Sequence, residues 1–194
     1  MGGVREDLVV PLAGIDTGAV LELWLWLIPE SHRPLFATAL GDLFLTASDG
    51  RVLWLDMGDG QLQEVAASEA EFEQAAADPD NNSLWFGAVL VDDLRAAGKV
   101  LGPGECYCYL QLPMLGGTYE PGNFRVYDVV THFRVCGPIH EQLRDVPDGG
   151  TVEFKVVNAP PKTPDAAPDR GRHVGFSRFV APRAAPAGEL GRWP

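Results

Sequence analysis

His132, Cys136 and His140 recur at i, i+4 and i+8, and two further sulfur ligands, Cys106 and Cys108, lie upstream as a Cys-x-Cys pair. On one uninterrupted helix the first three share a face and offer the imidazole and thiolate set that tetrahedral zinc takes. Pro138 falls inside the stretch and removes a helical N–H, and Cys-x-Cys is a weaker zinc signal than Cys-x-x-Cys. The sequence is therefore read as buried free cysteines and hydrogen-bonded histidines, with no metal and no cofactor. A zinc or thiol enzyme built on the same residues is the lesser alternative.

Other chemistries have less to stand on. "QLPMLGGTYEPGN" (111–123) packs three glycines and two prolines between apolar segments, but Gly116-Gly117 is not followed by Gly-Lys-Ser/Thr, so nothing reaches a phosphate or holds magnesium. "GPGECY" (102–107) has Gly-x-Gly without the third glycine and precedes a strand, where a dinucleotide loop would follow one. "EPGN" reads as a type II turn with Pro121 second and Gly122 third. No Gly-x-Ser-x-Gly or His-Glu-x-x-His occurs, and carboxylate pairs such as Glu69 with Glu73 or Asp92 with Asp93 are ordinary surface charge. No catalytic residue is assigned, and the chain is read as a non-enzyme.

Charge narrows the partners. The chain of 194 residues has a net charge of −12, which argues against a surface that tracks nucleic-acid phosphates. Residues 41–96 hold 12 Asp and Glu against Arg51 and Arg95, a net of −10. Such a region keeps a protein soluble and can also steer a basic partner. The most hydrophobic run, "AVLELWLWLI" (19–28), carries Glu22 and is about half the roughly twenty residues that span a bilayer. No membrane association is expected, and the location is read as cytoplasmic. Three cysteines do not make a disulfide framework.

The elements that must position these residues follow from pattern. Asp16 caps a helix over 17–28 whose apolar stripe is Leu21, Trp24, Leu25 and Ile28. Residues 41–66 alternate β-favouring segments with Ser-Asp-Gly and Gly-Asp-Gly, a three-stranded antiparallel meander. Ser68 with Glu71 forms a capping box for a helix to about Ala77, with Phe72, Ala75 and Ala76 inward. "ADPDNN" breaks it, and a second helix over 83–97 presents Leu84, Ala88, Val91 and Leu94 and stops at Gly98. A strand is expected over 104–113, a helix in the later part of 124–143 broken or kinked at Gly137-Pro138, and a last strand over 149–157. Seven of the sixteen prolines follow Asn158, which marks 158–194 as a largely disordered tail behind a single domain at 1–157. Within it "HVGFSRFV" (173–180) is an apolar island able to dock as an edge strand.

Two blocks, "GDLFLTASDGRVLWLDMGDGQLQEVAASEAEFE" and "GECYCYLQLPMLGGTYEPGNFRVYDVVTHFRVCGPIHEQL", carry a family resemblance. Over about 17–148 the chain resembles a bacterial domain of unknown function that forms the C-terminal part of immunity proteins against type VI secretion DNase effectors. The match rests on Gly41-Asp42-x-Phe, on Pro-x-Leu-Gly116-Gly117-x-Tyr119, and on His132-Phe133…Gly137…His140…Gln142, where Gly137-Pro138 stands in place of the family's usual Gly-Gln. These residues are implied to be structural, the glycine loop among them.

The expectation is thus an α+β fold, its antiparallel sheet built from the 41–66 meander with later strands near 104–112 and 149–157 and packed by helices, SUKH-like by analogy. The implied function is a protein-binding module that occludes a basic, nuclease-type toxin, with a regulatory or scaffolding domain as the alternative. Charge selects Asp56, Asp59, Glu64, Glu69, Glu73, Asp92 and Asp93 as its contacts.

Overall fold

A computed structural model describes residues 4–147, 150–152 and 179–180. The chain divides into two compact units, Met1–Val146 and Pro147–Pro194.

The first unit is α+β. Its main sheet has five antiparallel strands in sequential order, β1 (Val9–Pro11), β2 (Arg33–Thr38), β3 (Leu43–Thr46), β4 (Val52–Asp56) and β5 (Gln61–Ala66). The last three are the expected meander, with Leu43 opposite Leu55 and Phe44 opposite Trp54. The sheet is covered on both faces. Leu43, Leu45, Leu53 and Leu55 point into one apolar cluster, and the intervening Phe44, Val52 and Trp54 into another. On the first face lie Val20, Trp24, Ile28, Cys106, Cys108 and Phe133, and on the second Phe72, Trp85, Phe86, Val91, Leu94 and Tyr107. The second cluster is mostly aromatic: Phe44 stacks on Phe36 and Phe86 at 4.9 and 5.8 Å and meets Phe72 at 4.9 Å.

The strand expected at 104–113 is β6 (Glu105–Tyr109), but it does not extend the main sheet. It pairs with β7 (Phe124–Asp128) in a separate antiparallel ladder, reaching the main sheet's β2–β3 corner where the Tyr107 N–H donates to the Ala39 carbonyl at 2.8 Å. The 111–123 loop makes β6 and β7 hairpin partners.

Several local readings change. Asp16 does cap a helix, its carboxylate accepting from the Ala19 N–H, but α1 ends at Leu21 (Thr17–Leu21) and continues as a 3-10 turn over Glu22–Trp24, leaving Leu25 exposed. The capping box opens α2 (Glu69–Ala76) as expected, with Phe72 and Ala76 buried. The "ADPDNN" segment breaks α2 and then starts a helix: Asp78 accepts from the N–H groups of Asp80 and Asn81, and Pro79 sits at the first position of α3 (Pro79–Phe86). Gly87 at φ +52 separates α3 from α4 (Ala88–Ala96), so the single 83–97 helix is two, and the buried residues are Trp85, Phe86, Leu90, Val91 and Leu94 while Leu84 is exposed. Gly98 ends α4 as expected, with the Lys99 N–H donating to Leu94 and the Gly98 N–H to Arg95. α5 (Val129–Leu143), capped by Asp128, runs on through Pro138 without a break.

The second unit contains one described ladder, β8 (Thr151–Val152) paired antiparallel with β9 (Phe179–Val180), which are the start of the expected 149–157 strand and the end of the 173–180 island. The rest of both segments, and of the tail from 158, lies outside the described residues.

Candidate binding surface and the histidines behind it

The two histidines of α5 reach different turns of the main sheet. His132 is buried, and its Nε2 donates to the carbonyl of Gly41, 3.1 Å away in the β2–β3 turn. His140, about two helical turns further on, donates from Nε2 to the Met57 carbonyl at 3.1 Å, in the turn between β4 and β5. Both turns need glycine twice over. Gly41 (φ +88) and Gly60 (φ +67) adopt left-handed backbone, and a Cβ at either would overlap the ring of His132 or His140. Gly137 has the same function on the helix side, since a Cβ there would meet the Leu23 carbonyl oxygen at 2.6 Å. One turn earlier the Trp24 indole donates to the Phe133 carbonyl at 2.9 Å. Burial lowers the His140 imidazole to about 4, the Met57 carbonyl opposing that shift and His132 adding to it, so His140 is neutral at pH 7.

The 111–123 loop holds itself together. The Asn123 amide donates to the carbonyls of Gln111 and Thr118 at 2.8 Å and accepts from the Gln111 N–H, while the Gln111 side chain donates to the Leu115 carbonyl at 2.6 Å. Gly116 (φ +84) closes a 3-10 turn, and a Cβ on Gly117 would run into the Gln111 carbonyl. The loop's polar groups thus turn inward on one another. Its "EPGN" end is a 3-10 turn over Pro121–Asn123 and not the expected type II turn, because Gly122 has no positive φ. Gln142 is exposed and folds back on its own helix, donating to the Pro138 carbonyl.

The loop leans on the acidic β4–β5 turn, where the Tyr119 hydroxyl lies beside Gly58. Asp42 is buried behind it and accepts from the Met57 N–H at 2.8 Å. Burial, and then the neighbouring Asp56 carboxylate, raise Asp42 to about 7. Burial, and then Asp59, raise Asp56 to about 6, against the Gly58 N–H that holds its charge at 2.7 Å. Burial and then the same acids push Tyr119 up to about 12. Asp59 and Tyr119 are exposed.

The other acids singled out by charge lie elsewhere. Glu64 pairs with Arg51 at 2.7 Å, Glu69 with Arg33 at 3.0 Å, and Asp92 with Arg5 at 2.7 Å, so half-exposed arginines already neutralise part of the region. Glu73 on α2 and Asp93 on α4 are exposed, and Asp59 and Asp93 enter no ion pair among the described residues. Arg5, Asp7, Asp92 and Arg95 form a separate chain of ion pairs that ties the N-terminal segment to α4.

Cys106, Cys108 and Cys136 are free thiols and all buried. The ligand atoms of Cys106, Cys108 and His132 lie within 4.8 Å of one another, while His140 belongs to the other turn. Of the five residues of the sequence cluster, three thus come together, Cys136 adjoins them with its sulfur 3.7 Å from His132 Nδ1, and His140 stands apart. The Cys106 thiol facing Cys108 is the main cause that lowers Cys108 to about 5; burial opposes it and His132 adds to it.

The unit is thus an α+β domain whose sheet turns are braced from behind by one helix and whose acidic β4–β5 turn is presented beside an aromatic loop. Residues 66–140 match the family model "T6SS immunity protein Tdi1, C-terminal", which supports a type VI secretion immunity-protein domain in this chain. Among solved structures, "Crystal structure of Atu4351 from Agrobacterium tumefaciens" is similar at 17% identity and a TM-score of 0.45, with 62% of this chain and 62% of that chain covered. The chain thus spans less than two thirds of that structure's length. No curated protein matches. No helix among the described residues is long and apolar enough to cross a membrane.

Proposed function

We propose that this chain is a cytoplasmic, non-enzymatic immunity protein that binds a nuclease-type effector and occludes its basic cleft. The observation that carries the reading is the family match over 66–140. The surface geometry is compatible with it. Asp56 and Asp59 at the β4–β5 turn, with exposed Tyr119 alongside, combine negative potential with an aromatic contact of the kind that anchors interfaces. Asp93 and Glu73 extend the field, and Glu64, Glu69 and Asp92 act on the partner through residual charge because arginines already hold them. An inhibitor of a nuclease competes with nucleic acid for cationic groups, and a net of −10 over 41–96 steers it to the same groups while repelling free DNA.

The experiment is co-expression with nuclease-type type VI effectors from the same bacterium, followed by binding measured across a salt series. Protection of growth and an affinity that falls with salt are expected. The pair Asp59→Lys and Asp93→Lys should cut the association rate about tenfold or more at low salt and flatten the salt dependence. Unchanged rate and salt dependence would overturn the acidic-face assignment, and absence of protection by the unaltered chain would overturn the immunity reading.

A further inference from the structure

We propose that Cys106, Cys108, His132 and Cys136 bind one zinc ion in a closed Cys₃His site that ties β6 to α5. The inference stands apart from the immunity reading and rests on the geometry of four side chains from two elements.

Cys106 and Cys108 alternate with Tyr107 on β6, so both thiols emerge on the same face of the strand, the one against α5. Their sulfurs are 3.8 Å apart. Two thiolates on a tetrahedral zinc, each at ~2.3 Å, are separated by ~3.8 Å. His132 and Cys136 are four residues apart on α5 and share its inner face, with Nδ1 and Sγ at 3.7 Å; the corresponding edge of a zinc tetrahedron is ~3.6 Å. The Cys106, Cys108 and His132 ligand atoms fall within 4.8 Å of one another, and among the described residues no other group of three metal-ligating side chains comes together in this way.

The imidazole is also oriented for the task. Its Nε2–H is used on the Gly41 carbonyl, which fixes the tautomer and leaves the Nδ1 lone pair facing the sulfurs, as the outer hydrogen bond of a zinc-bound histidine does. Packing alone explains a buried thiol as a small apolar group, but it does not call for two thiols and an imidazole nitrogen within 4.8 Å of one another with a third thiol 3.7 Å from that nitrogen. The four residues are 0%, 4%, 2% and 7% exposed, and Cys136, beside the imidazole and one side-chain movement from the other two sulfurs, supplies the fourth ligand in place of water. Such a closed site is structural: zinc would displace the thiol protons, draw the two-stranded ladder onto α5, and through His132 hold the β2–β3 turn as well.

The test uses the full chain, purified under reducing conditions, stripped with a chelator and titrated with zinc alone and with cobalt(II) alone. Expected are one metal per chain, protection of all three thiols from a thiol reagent, a cobalt spectrum with tetrahedral ligand-field and thiolate charge-transfer bands, and a higher melting temperature with metal. A Cys106→Ser/Cys108→Ser variant should lose the tetrahedral cobalt spectrum. Thiols that react equally with and without zinc, or cobalt in an octahedral environment, would overturn the proposal. These arms use the unaltered chain and decide the matter even if the double variant fails to fold.

Discussion

Replacing Gly41 by alanine separates two costs that usually come mixed. Gly41 (φ +88) and Gly50 (φ +91) have nearly the same backbone, but a Cβ at 41 overlaps the His132 ring and a Cβ at 50 meets nothing within 4 Å. Gly50→Ala therefore reports left-handed strain alone, about 1 kcal/mol. Gly41→Ala adds displacement of His132 and loss of its hydrogen bond to the Gly41 carbonyl, leaving a buried polar group unpaired for about 2 kcal/mol more. At about 2–4 °C per kcal/mol for a chain of this length, the expected falls in melting temperature are roughly 2–4 °C at Gly50 and roughly 6–12 °C at Gly41. Denaturant unfolding of the three proteins in parallel, followed by circular dichroism, gives the free energies directly. If the two variants agree within about 0.5 kcal/mol, the histidine does not brace the turn and the account of α5 is wrong.

His140 takes up its proton near pH 6.5 when unfolded and near about 4 when folded, so the unfolded chain binds more protons between these values. Its contribution is complete above pH 6.5 and declines as pH falls toward 4, by about 3 kcal/mol. Asp42 and Asp56, raised by burial, change stability in the opposite direction, so the effect is read as the difference between the chain and His140→Gln across pH 4–7; a pH-independent difference would contradict it. Phe44→Ala, at the centre of the aromatic cluster, should cost about 3–5 kcal/mol in denaturant unfolding, and a cost under about 1.5 kcal/mol would mean the cluster repacks. Trp24→Phe removes the bond to the Phe133 carbonyl and part of the indole volume, and should cost about 2 kcal/mol with little change in the denaturant slope.

The meander was legible because Ser-Asp-Gly and Gly-Asp-Gly mark where the chain must reverse between β3, β4 and β5. β1 and β2 were not: β1 is three residues ending in Pro11, and β2 contains Pro34 beside a register shift and is followed by a corner with no Asn-Gly or Asp-Gly signal. Gly87 sits in an apolar run whose periodicity continues past it, so only its positive φ reveals that α3 and α4 are separate. At the site, composition located the acids but not their arginine partners, since Arg33 and Glu69 or Arg5 and Asp92 meet only in the fold. The bonds from His132 to the Gly41 carbonyl and from His140 to the Met57 carbonyl span 91 and 83 residues and have no local pattern. The family resemblance singled out Gly41, His132 and His140 as motif residues without saying what they touch.

The bond from Trp24 to the Phe133 carbonyl closes over 109 residues, and Trp24 is fully buried only when α5 is in place. During synthesis at about 5–20 residues per second, the N-terminal part of the chain waits roughly 5–20 s on the ribosome before the helix that seals it is made. Through that interval the apolar face of β3 and β4 is open to water and to other nascent chains. The stretch that closes it, α5, comes near the end of the unit, so truncations just before residue 129 should yield insoluble protein even though the whole main sheet is present.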